Sequence, residues 1–137
     1  MIKANDLRVG NFVIDEDGDP LTITCIEENY VWHDSNLFSN IDTIRGIKLT
    51  PHTLYQVGFK LDDSLSTIIR FRKSNFCIDL QKKRWYLHGY RNYPRGMEFI
   101  HELQNLYFAL TGEELTVEIN NVQPNNGTQC GVGKNNI

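Results

Sequence analysis

Met97–Leu115, MEFIHELQNLYFALTGEEL, is the one long segment of this sequence whose period is unambiguous. Phe99, Ile100, Leu103, Leu106, Tyr107 and Leu110 recur at three- and four-residue steps, which draws a single apolar stripe along a helix. Glu98, His101, Glu102, Gln104 and Asn105 fall on the other side. Thr111-Gly112 closes the segment, with Gly112 placed to take the left-handed cap conformation. Phe108 and Ala109 lie off the stripe, on a side open to a partner or a second copy. A helix this apolar on one side needs a sheet to bury it, and the chain before it reads as strands.

The whole chain has 137 residues, enough for one domain with a real core and short for two independent ones. Its 40% hydrophobic and 23% charged fractions are those of a globular protein. No segment approaches the roughly 18–20 apolar residues of a membrane span. MIKANDLRVGN at the start holds no apolar run of the signal-peptide kind. Cys25, Cys77 and Cys130 are widely spaced and odd in number, so three reduced thiols in a cytoplasm are expected.

Working back from the helix, the segments sort by period. Asn5–Arg8 begins a single turn, and strands are expected at Asn11–Ile14, Leu21–Cys25 and Tyr30–His33. Asp15–Pro20 reads as a hairpin connection, Ser35–Thr43 as loop, and Ile44–Leu49 as a weak strand interrupted by Gly46. Thr50-Pro51 opens a short helix that Gly58 ends, with Thr50 as cap and Pro51 in the first turn. Three meander strands follow at about Thr67–Arg72, Asn75–Leu80 and Arg84–His88, and Thr116–Ile119 adds a short one. The expected fold is α+β: an N-terminal antiparallel, small barrel-like sheet (1–49), a linking helix (50–59), then a meander packed on one amphipathic helix (60–119). These form one domain over 1–119, and 120–137 is a polar tail of disordered composition.

Certain residues carry a resemblance. Ala4-Asn5-Asp6-Leu7-Arg8-Val9-Gly10-Asn11-Phe12-Val13, Gly46-Ile47-Lys48-Leu49-Thr50 with Gly58-Phe59, and His101–Leu115 (HELQNLYFALTGEEL) lie in a fixed order. Together they resemble a family of small uncharacterised proteins of gut Bacteroidales and their phages or prophages. The resemblance spans most of residues 4–115 and implies a mobile-element origin. It brings no activity, ligand or catalytic residue.

The search for chemistry is mostly negative. Asp15-Glu16-Asp17-Gly18-Asp19 evokes a calcium loop, but such a loop needs Gly at its sixth position and Glu at its twelfth. Here Gly18 is fourth and Ile26 is twelfth, which favours a plain acidic hairpin. His33, His52, His88 and His101 show no spacing of the zinc kind with the cysteines. Gly131-Val132-Gly133-Lys134 lacks the Gly, the Ser/Thr and the following helix of a phosphate loop. No catalytic set, metal site or cofactor is assigned.

The charge map is what rises above background. Residues 70–95 hold eight basic residues against one acid, Asp79, a local net of +7. The rest of the chain carries six basic and sixteen acidic residues, a net of −10, which gives the overall −3. Strand alternation sorts Ile69, Phe71, Phe76, Ile78, Leu80, Trp85 and Leu87 inward. Arg70, Arg72, Arg84, Tyr86 and His88 then point outward and exposed, beside Tyr90, Arg91, Tyr93 and Arg95 of the following loop. Arginine forks and aromatic rings on one surface suit phosphate and nucleobase together. The same residues equally suit a solvated strand face or a protein-contact face, since Lys and Arg guard sheet edges.

The sequence therefore points to a non-enzymatic accessory protein that binds a host protein, a nucleic acid or a nucleotide, with counter-defence as one role. No membrane partner is expected, and homo-oligomers are an open alternative. The competing classes are an enzyme acting on a phosphorylated ligand, with His88 and the arginines at its centre, and a virion or assembly component.

Overall fold

The computed structural model describes residues 2–33, 37–64, 67–89 and 96–117. The chain is α+β, with two antiparallel sheets of five and four strands and one main helix. It divides into two compact units, Met1–Ile47 and Lys48–Ile119. No helix among the described residues is long and apolar enough to cross a membrane.

In the first unit a single 3-10 turn, Ala4–Asp6, leads into β1 (Phe12–Ile14), β2 (Pro20–Ile26) and β3 (Tyr30–His33). Then come β4 (Leu37–Asn40), a second 3-10 turn at Ile41–Thr43, and β5 (Arg45–Gly46). Pro20 stands at the first position of β2, opposite Ile14, where its missing N–H costs the ladder least. Leu7, Val13, Leu21, Ile23, Val31, Ile41 and Ile44 form the core of this unit. The strand order is β4-β3-β2-β1-β5, so the end strands β4 and β5 do not pair and the sheet is open. That corrects the expectation of a small barrel.

Leu37–Asn40, expected as loop, is a strand paired with β3 over its whole length. Its polar Ser39 and Asn40 hid the period, while Phe38 gains its place by resting on Tyr30 and Trp32 across the pair. Asn40 ends the strand by accepting the Asp42 N–H at 2.9 Å. The expected strand at Ile44–Leu49 shrinks to Arg45–Gly46, because Lys48 instead bridges to Phe99.

The second unit holds α1 (Pro51–Gln56), β6 (Lys60–Leu61), β7 (Ile69–Lys73), β8 (Phe76–Gln81), β9 (Arg84–Leu87) and α2 (Ile100–Thr111), its sheet ordered β6-β7-β8-β9. Thr50 and Thr53 cap α1 reciprocally: the Thr53 N–H donates to Thr50 Oγ1 at 3.1 Å, and the Thr50 N–H to Thr53 Oγ1 at 2.8 Å. Phe71, Phe76, Ile78, Trp85 and Leu87 are buried on the inner face as alternation requires, whereas Ile69, expected inward, is exposed at the start of β7 and Leu80 is half-buried. Tyr107 of α2 packs its ring on Phe59 and Phe76.

Helix α2 begins at Ile100 because the residues before it are extended. Met97 exchanges both backbone hydrogen bonds with Trp85, at 2.7 and 3.0 Å, and the Leu49 N–H donates to Glu98 O at 2.9 Å. Glu102 Oε1 then accepts the Glu98 and Phe99 N–H groups, closing the first turn. At the far end Gly112 takes φ +75° and its N–H reaches Phe108 O at 2.8 Å. The buried face is Ile100, His101, Leu103, Gln104 and Tyr107, rotated from the apolar stripe. Leu106 is half-buried and Leu110 exposed, whereas His101 and Gln104, expected outside, are inside. Local partners explain the exchange: the His101 ring stacks on Phe99, and Gln104 Nε2 donates to Leu115 O at 2.9 Å. Thr116 and Val117 form no strand, and the rest of that expected strand lies outside the described residues, as does the tail 120–137.

Cys77 is a buried free thiol, but Cys25 is disulfide-bonded, which corrects the expectation of three reduced cysteines. The β8–β9 hairpin turns on Lys82 and Lys83, both left-handed, at φ 49° and 72°. A two-residue turn of this hand is the home of Asn-Gly, since side chains with a Cβ strain there. The double change Lys82→Asn, Lys83→Gly should stabilise the protein by about 1–2 kcal/mol. A higher urea midpoint at unchanged slope would register the gain; an unmoved midpoint would mean the turn carries no strain.

Candidate functional site

The outer face of the second sheet is built by register. Arg70 of β7 stands opposite Asp79 of β8, which stands opposite Tyr86 of β9. Arg72 stands opposite Cys77, whose carbonyl accepts the His88 N–H at 2.9 Å. Trp85 and Leu87 are buried, Tyr86 is half-buried and His88 is exposed, the alternation expected for this strand. Arg70, Arg72, Arg84, Tyr86 and His88 thus share one face. Tyr90, Arg91, Tyr93 and Arg95 lie outside the described residues.

The charge on that face is not free. Arg70 forks onto Asp79, Nε to Oδ1 at 2.6 Å and Nη2 to Oδ2 at 2.9 Å, and only 13% of its side chain is exposed. That corrects the expectation of an exposed Arg70. The bond to Asp79 holds the Arg70 pKa above the usual guanidinium value, against the burial that would lower it. Arg70 Nη2 also lies 2.9 Å from His88 Nδ1. A guanidinium can only donate, so Nδ1 is the acceptor in this contact, and Asp79 Oδ2 lies 3.5 Å from the same nitrogen.

Arg72 donates to Asp62 Oδ2 at 3.0 Å. Asp62 also receives the Ser64 hydroxyl at 2.6 Å and the Ser64 N–H at 3.1 Å on Oδ1. The Ser64 hydroxyl, then its N–H and Arg72, hold the Asp62 carboxyl below the usual range. Its stabilising contribution is therefore full above the ordinary carboxylate range and fades as pH falls through the lowered value. Arg84 donates to Gly96 O at 3.1 Å and lies 3.5 Å from Glu98 Oε1. Gly96 is pressed so close that a Cβ there would stand 2.6 Å from Arg84 Cβ and 2.8 Å from Tyr86 Cζ. One side of the Tyr86 ring is thereby covered.

At the edge of this face lies an open hollow of about 710 Å³, lined by Lys60, Asp62, Ser64, Arg72, Lys73 and Ser74 among others. Lys60 and Lys73 form no ion pair among the described residues. Gly58, at φ +92°, lets Lys73 lie across the end of α1, where a Cβ would stand 2.8 Å from the Lys73 Nζ.

Sequence reasoning missed Asp79 as the centre of the face, and with it Asp62, Gly96 and Glu98. The signal for Asp79 was present: it is the single acid in the basic stretch, on the alternation step that faces outward. In the first unit, Asp15, Asp17 and Asp19 bring their carboxylates within 4.8 Å of one another. Asp15 Oδ1 accepts the Asp17 and Asp19 N–H groups, each at 2.9 Å, so the cluster organises its own hairpin. Comparison with protein-family models, with curated proteins and with solved structures gives no match.

Proposed function

We propose that the chain is a non-enzymatic accessory protein of phage or prophage origin that works by binding, through the outer face of β7–β9 and the hollow beside it. The ligand is a nucleotide-sized anion rather than a long nucleic acid. The observation that carries this reading is the pair of ammonium groups without an ion pair among the described residues, Lys60 and Lys73, set with Arg72 around one hollow in which cations outnumber the carboxylates of Asp62 and Asp63 by three to two. A long polyanion would need a continuous run of free cations, whereas Arg70, Arg72 and Arg84 each face a carboxylate already. His88 is held at Nδ1 by Arg70, with Asp79 Oδ2 3.5 Å from the same atom, a ring built into the face, which favours binding over proton transfer. The same ion pairs make the face nearly neutral, which favours a host-protein contact as the second reading.

Ligand-induced thermal shift at low salt tests it, with inorganic phosphate, a nucleoside triphosphate and a single-stranded oligonucleotide. The triphosphate should shift the protein most, and Arg72→Ala and Lys73→Ala should each weaken it by about tenfold, one charge-assisted contact. Tyr86→Ala should weaken the triphosphate more than phosphate, since only a base can stack. No shift with any probe would leave the protein-contact face. Placement in the host cytoplasm belongs to the same proposal, and the Cys25 disulfide speaks against it. Alkylation of thiols before lysis should label Cys25 in a reducing compartment; an unlabelled Cys25 removes that placement.

A further inference from the structure

The first unit carries an independent surface. Strand β4 ends its sheet and bears no charge, proline or bulge along Leu37-Phe38-Ser39-Asn40. Of the other sheet ends, β5 and β6 carry a basic residue that discourages pairing, Arg45 and Lys60, and β9 is already met at Trp85 by the backbone of Met97. Leu37 and Phe38 are 58% and 56% exposed. Phe38 is continuous with Tyr30 and Trp32, each ring centroid 5.2 Å from its own, so three aromatic rings form one open surface beside the bare edge. The Trp32 indole N–H donates to Glu27, which fixes a carboxylate at the border of that surface.

Charge selects the occupant. From Val9 to Ile44 the sequence contains no Lys or Arg and eight Asp or Glu, so the charged groups that β1 to β4 and their connections contribute are carboxylates. A second copy would bring two such acidic surfaces together. We infer that the β4 edge accepts an added strand from a basic partner protein. The partner's backbone continues the ladder, its apolar residues cover Phe38 and Trp32, and its Lys or Arg residues meet Glu27, Glu28 and Asp42. The aromatic rings add cation–π attraction for the same side chains.

The test uses the full chain and a blocked peptide of alternating lysine and valine, with a glutamate–valine peptide as control. The basic peptide should bind, more weakly as salt rises, and should slow amide exchange at Leu37–Asn40. Leu37→Lys, at an exposed position, should weaken it by about tenfold or more with the melting curve unchanged, and Phe38→Lys should weaken it as much while also loosening β4 through the lost ring contacts. Asp17→Asn with Asp19→Asn, away from the edge, should leave binding intact. Equal binding of both peptides, loss in the Asp17/Asp19 variant, or absence of binding would each overturn the inference. So would a dimer that Phe38→Lys converts to monomer, since the edge would then serve a second copy.

Discussion

Leu103→Ala should lower the stability of the protein by about 2–5 kcal/mol, and Leu106→Ala by about 1–2 kcal/mol. Both leucines belong to the apolar stripe of the sequence, yet the structure separates them. Leu103 is fully buried, so its truncation loses transfer free energy and leaves a cavity that a close-packed core closes only in part. Leu106 is half-buried and loses about half the contact. Chemical denaturation of both variants at constant slope measures the difference. Equal losses would mean that the helix presents the face drawn by its hydrophobic period and not the rotated one.

The second large effect concerns the outer face. Arg70→Ala should cost about 2–4 kcal/mol, near the lower end for a buried pair because Arg70 keeps one side at the solvent. The loss arises chiefly at Asp79, which is 6% exposed and would lose both hydrogen bonds of the fork. Asp79→Ala should be costly for the converse reason. The double variant Arg70→Met, Asp79→Leu should cost less than the sum of the single changes, a coupling of about 1–3 kcal/mol. Strictly additive losses would mean the two groups do not act as a unit.

The parts legible in the sequence are those where one period dominates. The β7–β9 meander was readable because Trp85 and Leu87 could be inward only if Tyr86 and His88 were outward. Thr50-Pro51 and Gly112 were readable because a cap, a fixed φ and a left-handed residue each act locally. Strand β4 was not readable, since its place comes from β3 and from the rings of Tyr30 and Trp32 rather than from its own pattern. The rotation of α2 was hidden for a related reason. Buried His101 and Gln104 look polar in one dimension, and the Leu115 carbonyl that meets Gln104 is far along the chain. For the candidate site, residue types and face were readable, but pairing was not. A charge count sums Arg70 and Asp79 as separate charges, whereas register sets them opposite each other.

The bond from Gln104 to the Leu115 carbonyl has a bearing on the order of events during synthesis. Translation completes the helix at Thr111 several residues before the acceptor for this buried amide exists. Leu115, itself 1% exposed, must then fold back past Gly112. The second unit is therefore complete only when the chain continues past its last helix. Chains truncated after Gly112 should remain open to protease, and chains truncated after Val117, which keep Leu115, should resist it.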